Sequence, residues 1–390
     1  MTVRTSRPFS RFGRGLSIAL LLLCITRSTH AQNAKADSLA WYQSITVNGL
    51  VSASTTVNFN HPSDNLNRLR VFDIDANSIN LDLLSLTVHH EPAVGEAGFR
   101  ADISVGPNIP RLIHSAGMAN GDWDLTQAYA SYVAEIGAGL RFDMGKFIAP
   151  LGYEYIDRFD GLNDNASHSF LFGYAVPFTT TGVRVTYPFS DVFSVCGMVA
   201  NGWDNSVDNN TAKTYCLLLS LLPSSTSSFI LTAIRGAEKP GNATDMRSVL
   251  DLVASFKIGE RITVGVNGDY GMEQNDQRSS LFADTSHGDL VINSYGDATW
   301  DGIAGYIRYT ISDKFAFILR AEVFDDPQGV RTGTPQTLHG YTLTPEWKPT
   351  AHFVLRGDLR NDRSTAYVFD HDGARWGSQL TASINALYSF

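Results

Sequence analysis

Apolar and polar residues alternate with a period of two through most of this chain. Ile45, Val47, Gly49, Val51 and Ala53 alternate with Thr46, Asn48, Leu50, Ser52 and Ser54. Phe315, Phe317, Leu319, Ala321 and Val323 alternate with Ala316, Ile318, Arg320 and Glu322, and Ile262, Val264 and Val266 with Thr263, Gly265 and Asn267. Successive strand side chains point to opposite faces, so each segment reads as a strand with one apolar face. The densest apolar run beyond the N-terminal region, Leu217 to Leu222, is stopped by Pro223. It falls far short of the ~20 residues a membrane-spanning helix needs.

The connections come in two alternating sizes. Short ones lie at 136–139, 188–191, 259–260, 311–314 and 348–350, and long ones near 60–69, 107–124, 149–180, 202–212, 236–246, 272–297, 325–336 and 361–375. The long ones are rich in Asn, Asp, Gly, Ser and Pro, as loops should be. This pattern predicts an all-β fold: a transmembrane antiparallel up-and-down β-barrel of about sixteen strands, with short periplasmic turns and long extracellular loops. An even strand number brings both termini to one side. The segment 70–88 is read as the second strand, although its alternation slips near Ala76 to Leu81, which predicts a bulge or kink. The last strand carries Leu380, Ala382, Ile384, Ala386, Tyr388 and Phe390 on one face. A terminal Phe with an aromatic two residues earlier resembles the signal read by the outer-membrane barrel-assembly machinery, which would make Phe390 its contact. Aromatics near strand ends, among them Trp41, Tyr187, Phe189, Trp203, Tyr309, Phe315 and Trp347, suit interfacial girdles.

The N-terminus agrees with export. Arg4, Arg7, Arg11 and Arg14 precede an apolar run from Leu16 to Ile25, which ends in Thr29-His30-Ala31. Basic, apolar and small regions in that order predict a signal peptide over 1–31. Leu23 before Cys24 does not suit lipidation. Residues 32–43 read as a periplasmic lead-in and 44–390 as the barrel. Cleavage removes five arginines and no acid, leaving 25 basic and 39 acidic residues and a formal charge of −14. Such a chain is a poor nucleic-acid binder, and a pore built from it is expected to favour cations. Cys196 and Cys216 remain. Flanking a hairpin loop near Val207, they are open to two readings: a disulfide between facing strands, or two small residues on the lipid face.

Strand parity places Arg100 with Asp102, Arg141 with Asp143, Arg184, Arg308, Arg320 with Glu322, and Arg356 with Asp358 and Arg360 on the inner face. An arginine facing lipid near the midplane costs roughly 2–4 kcal/mol, so these charges predict a wet lumen. The longest connection, 149–180, mixes Tyr153, Tyr155, Phe159, Phe170 and Phe172 with Glu154, Asp157, Asp160 and Asp164. Its aromatics give it reason to pack rather than float. The sharper expectation sets its acids against wall arginines, chiefly Arg141, Arg184, Arg320 and Arg356. The plainer one leaves the acids solvated and pairs each arginine on its own strand.

No P-loop, dinucleotide-binding glycine motif, His-Glu-x-x-His or cysteine metal cluster is present, so no cofactor or metal is expected. His89 and His90 are adjacent on a strand and point apart. Asn165, Ser167, His168 and Ser169 cluster in the long loop, but proximity in sequence does not make a nucleophile and base. Asp325, Asp326, Asp370 and Asp372 lack EF-hand spacing.

Gly145-Lys146-Phe147, Pro150-x-Gly152-Tyr153-Glu154, Ser167-x-Ser169-Phe170, Pro177-Phe178-Thr179 and Thr181-Gly182-Val183-Arg184 together resemble the OmpL-like β-barrel porins. Val47 to Val51, Asn58-Phe59-Asn60 and Gly98 to Asp102 fit the same family. The resemblance implies an outer-membrane barrel with porin activity and names no solute. In general porins the loop after the fifth strand folds inward, and by that likeness 149–180 is the candidate constriction. The expected function is passive diffusion of small polar solutes across the outer membrane of a Gram-negative-type bacterium, the barrel seated in outer-membrane lipid. The alternative is a structural or adhesive barrel with a closed lumen. Monomer and homotrimer both remain open.

Overall fold

A backbone leaving water must satisfy every N–H and C=O internally, and a sheet closed on itself does so without leaving an edge. The computed structural model describes residues 41–106, 123–276 and 296–390. The expected signal peptide, most of the lead-in, and the loops over 107–122 and 277–295 lie outside the described residues.

Residues 44–390 form one unit built on a closed antiparallel barrel of sixteen strands. In chain order the first eight are β1 (Thr46–Asn58), β2 (Ser78–His90), β3 (Ala97–Val105), β4 (Trp123–Ala134), β5 (Leu140–Ile148), β6 (Thr179–Pro188), β7 (Phe193–Ala200) and β8 (Thr214–Ser224). Then follow β9 (Ser227–Ala237), β10 (Met246–Ile258), β11 (Ile262–Asp276), β12 (Gly296–Ser312), β13 (Phe315–Asp326), β14 (Gln336–Trp347) and β15 (Phe353–Ser364). A hairpin of β16 (Phe369–His371) and β17 (Ala374–Trp376) decorates the last long loop, and β18 (Ser378–Ser389) closes against β1.

Each barrel strand pairs with its sequence neighbour, and the seam pairs Leu50 with Ser389 through to Asn58 with Thr381. Connections are short at one end and long at the other. Burial alternates along the strands: β13 buries Ala316, Ile318, Arg320 and Glu322 and exposes Phe317, Leu319 and Ala321. Phe189, Phe315, Trp347 and Tyr388 are exposed near the short-turn end, and Trp123, Tyr215 and Tyr270 towards the other. Trp203 is not among these girdle residues. Its ring packs edge-on to Trp300 at 6.4 Å.

Three sequence expectations need correction. The second strand begins at Ser78 rather than 70. Leu69, Phe72 and Asn77 have φ of 57°, 69° and 55°, left-handed values that no strand can run through. Residues 59–77 instead fold as a loop in which Arg70 reaches Asp362 at 2.7 Å and Thr381 at 2.9 Å. The predicted irregularity lies just beyond it: Ser52 pairs with Leu83 and Ala53 with Leu81, leaving Asp82 as the extra residue. Its carboxylate accepts from Ser52 and Ser54. Finally, Cys196 pairs in register with Leu218, and Cys216 with Met198. Both are free thiols, and both are buried on the inner face rather than opposed or turned to lipid.

Candidate functional site

The segment between β5 and β6, residues 149–178, crosses the lumen and is tied to the wall along its length. Its start is held by β9 to β11. Thr232 donates to the Pro150 carbonyl at 3.1 Å, Gly152 N–H donates to Asp251 at 3.2 Å, and Tyr153 N–H donates to Asn267 at 3.1 Å. Tyr153 stacks on Tyr306, centroids 4.2 Å apart. A dent in β11 admits it, since a Cβ on Gly265 would sit 2.5 Å from the Tyr153 ring.

The middle is held by ion pairs with β13 to β15. Glu154 accepts from Arg320 at 2.8 Å, from Tyr306 at 3.2 Å and from Ser169 N–H at 2.7 Å. Burial pushes the Glu154 carboxyl up, but Arg320, His168 and the Ser169 N–H together hold it below its ordinary value. Arg320 also donates to the Ser167 carbonyl at 2.5 Å and to Thr342 at 3.2 Å, and pairs with Glu322 at 3.3 Å. Asp358 receives Ser167 through its N–H and its hydroxyl, both at 2.7 Å. Arg360 donates to the His168 carbonyl and lies 4.9 Å over the Phe170 ring. Arg356 donates to the Asn163 carbonyl and pairs with Asp157 at 3.3 Å. Breaking a buried pair by removing one partner typically costs about 3–5 kcal/mol, because the other charge is left uncompensated.

The end of the segment turns through a short π-helix, Leu171–Ala175. Trp300 Nε1–H donates to the Ala175 carbonyl at 3.2 Å, and Arg331 Nε–H donates to that of Tyr174 at 2.6 Å. Asp204, in the loop after β7, accepts from the N–H groups of Phe178 and Thr179, both at 2.8 Å. Burial raises its carboxyl to about 6, outweighing those two donors.

The remaining acids of the segment face the lumen. Asp160 lies between Arg100 at 2.7 Å and Arg158 at 2.6 Å, and these arginines hold its carboxyl low against burial. Asp164 pairs with Arg308 at 2.7 Å, yet burial still leaves its carboxyl raised. Of the four arginines singled out in the sequence, Arg320 and Arg356 meet loop acids. Arg184 does not: it pairs with Asp143 at 2.8 Å and stacks over Phe147 at 4.5 Å. Arg141 is spent on Asp143 and Glu91. Sequence reasoning left Arg100, Arg308 and Arg360 out of the candidate site, although parity had put all three on the inner face.

Beside the segment lies a cavity of about 660 Å³. Arg100, Tyr129 and Arg184 line it from β3 to β6, Leu218, Ile230 and Val253 from β8 to β10, and Leu151 to Tyr155, Arg158 and Leu162 to Asn165 from the segment. Behind the segment, towards β1, β2 and β18, lies a smaller pocket of about 40 Å³. Phe72 of the first loop fills that side, its ring 5.0 Å from His168 and 6.3 Å from Phe172.

The residues considered for other chemistry serve as supports. Ser167 donates to Asp358, while the His168 ring packs on Phe72 and on Phe172. His89 faces Phe159, and His90 meets the Ser44 carbonyl. Asp326 accepts from Arg331 N–H and Thr332 N–H, and Asp370 from Ser63 and Gly373. Among the described residues, no group of three or more His, Cys, Asp or Glu is placed to hold a metal ion.

The sequence matches the family described as Putative beta-barrel porin-2, OmpL-like, over residues 44–390. No curated protein matches it. Among solved structures it is similar to the outer membrane channel DcaP of Acinetobacter baumannii, with 10% identity and a TM-score of 0.57 over 89% of this chain and 97% of that one. An anion-selective porin from Comamonas acidovorans gives 12% identity and 0.57 over 89% and 99%. The trimer form of OmpT, an outer membrane protein of Vibrio cholerae, gives 12% identity and 0.53 over 89% and 99%. Identities this low establish a shared fold alone, that of the outer-membrane porins. The family match spans the whole barrel, and the chain belongs to the putative beta-barrel porin-2, OmpL-like, family.

Proposed function

We propose that this protein is a passive outer-membrane channel for small hydrophilic solutes, with the segment after β5 as its constriction. The observation that carries this reading is a closed barrel in which 149–178 is laid across the lumen and pinned by ion pairs, beside a cavity of about 660 Å³. Sixteen strands enclose more room than their own side chains fill. The constriction residues are Glu154, Asp157, Asp160 and Asp164, opposed by Arg320, Arg356, Arg100 and Arg308. Arg184 contributes to the wall, and Arg141 lies outside the constriction.

Because each loop acid has an arginine partner, the field at the narrows is nearly balanced. The net charge of −14 on the chain without its leader then sets a mild cation preference at long range. We further propose a homotrimer, by analogy with the trimer form of OmpT, and a role for Phe390 in recognition by the assembly machinery.

Packing of the first loop behind the segment favours one competing reading, a barrel too full to conduct. Single-channel recording of the purified protein in a planar bilayer under a salt gradient decides between them. Discrete steps with a cation-sided reversal potential support the channel and its selectivity. An anion-sided potential keeps the channel and assigns selectivity to Arg100, Arg158 and Arg184. A folded but silent barrel rejects the channel.

A further inference from the structure

Two strand arginines face the wrong way for a porin wall, Arg363 near the end of β15 and Arg235. Arg235, on β9, is exposed on the outer face of the barrel, in line with Leu231 and Ala233. An arginine facing lipid is penalised steeply near the midplane and little near the interface. Arg235 stands two residues from the end of its strand, at the long-loop end, where a strand's rise of ~3.4 Å per residue keeps it close to the headgroups. The register sets Tyr215 beside it on β8 and Ser248 beside it on β10, with Met272 one strand further. The next row towards the midplane is Leu217, Ala233, Leu250 and Tyr270.

Small residues at Ala233 and Ser248 between larger neighbours leave a groove of about 460 Å³ on the outer surface. Arg235 Nη1–H donates to the Ser248 hydroxyl at 2.8 Å, which aims the guanidinium along the groove's upper edge. Among the described residues, no carboxylate lies within ion-pairing distance of it. Most of the inner-wall and loop arginines described above have one, whereas Arg331 lies over Trp203 and Trp300 instead. An unmatched cation above an apolar groove, at interfacial depth, is complementary to a lipid that carries a phosphate on its headgroup and an acyl chain below it.

We infer that Arg235 and the groove over Ala233 form a binding site for a phosphorylated lipid of the outer leaflet. The guanidinium holds the phosphate in a forked, two-bond geometry, and Tyr215 and Tyr270 flank the headgroup boundary. The acyl chain lies over Ala233 between Leu217 and Leu250. This site does not depend on whether the lumen conducts.

The test titrates lipid A, and lipid A stripped of phosphate by phosphatase, against the folded protein in zwitterionic detergent, read by native mass spectrometry. The wild type should bind the phosphorylated form about tenfold more tightly. Arg235→Gln should lose that preference while still binding the stripped lipid, and Arg235→Lys should keep part of it. Ala233→Trp, which fills the groove, should weaken both lipids. Heat-modifiable gel migration reports that each variant is folded, and if one is not, the wild-type comparison and the remaining variants still decide. Equal affinity of the wild type for the two lipids, or an undiminished preference in Arg235→Gln, overturns the site. So does an oligomer that Ala233→Trp dissociates while lipid affinity stays unchanged, since the groove would then belong to a second copy of this chain.

Discussion

Asp160 is the loop acid that answers to two guanidinium groups at once, those of Arg100 and Arg158. Replacing it with Asn leaves Arg158 without its carboxylate and Arg100 with Asp102 alone. Both arginines line the main cavity, so Asp160→Asn should move the reversal potential in a salt gradient clearly towards anions. Asp157→Asn should move it less, because Asp157 touches Arg356 only at 3.3 Å and otherwise holds Asn163. If neither variant moves the potential, the segment does not set selectivity. Asp204 makes a prediction in pH. Its folded carboxyl holds a proton up to about pH 6, against an ordinary 3.8. Folding therefore binds a proton between those values, and stability contributed by this group is lost as pH rises through that window. Asp204→Asn keeps an acceptor for Phe178 and Thr179 without the buried charge. It should stabilise the protein at pH 8 by about 2–3 kcal/mol and by nothing measurable near pH 4, as read from urea unfolding in detergent. Which arginines point inward was legible in the sequence, because parity and the cost of charge in lipid decide it. Which acid each would take was not. Arg356 and Asp157 are 199 positions apart, and only the path of the folded segment brings them together.

At the level of elements, strands read well and their lengths less so. Alternation located every barrel strand, but β11 continues to Asp276 and β12 begins at Gly296, so both run further into the long-loop end than turn-forming residues suggested. Residues 70–77 looked like the start of β2 because Phe72 and Ile74 alternate with Asp73 and Asp75, whereas left-handed φ at Leu69 and Phe72 redirects the chain inward. Alternation carries no information about such a turn when the residues making it are not glycine. The consequence is testable: Phe72 blocks the rear of the lumen against His168, Phe172 and Phe178. Phe72→Ala should enlarge that 40 Å³ space and raise single-channel conductance, whereas an unchanged conductance would mean that the first loop does not limit flow. A second element-level prediction concerns β11. Trp300 lies flat on Gly271, its cross-strand partner, and a Cβ there would meet the indole at 1.9 Å. Gly271→Val must expel Trp300 from its bond to Ala175 and so release the end of the constriction. Flickering open-channel current and a loss of roughly 3 kcal/mol or more in stability are expected.

For the whole molecule, the relevant charge is global. If loop acids and wall arginines balance locally, selectivity comes from the net negative charge of the chain acting over distance, −9 for the full sequence and −14 if residues 1–31 are removed. Such a field is screened over ~30 Å at 0.01 M salt and ~3 Å at 1 M. The cation preference should therefore be strong in dilute salt and fade as salt rises. A preference that persists at 1 M would place its source in the narrows instead. The fold class was legible at this scale because lipid permits few solutions, while the filling of the lumen was not, since it depends on loops rather than on the sheet. The seam between β1 and β18 carries a further consequence, for assembly rather than transport. Asn48 donates to the carbonyl of Phe390, and Gly49 exchanges two backbone bonds with the same residue, across 342 and 341 positions of chain. The strand latest in the sequence is thus a partner of the first, and the cylinder closes only when β18 pairs with β1. Until β18 is in place, two strand edges remain open, and an open edge is the one thing the hydrocarbon interior does not accept. Closure therefore waits for β18, and a chain lacking Ser378–Ser389 should stall outside the membrane, where proteases can reach it.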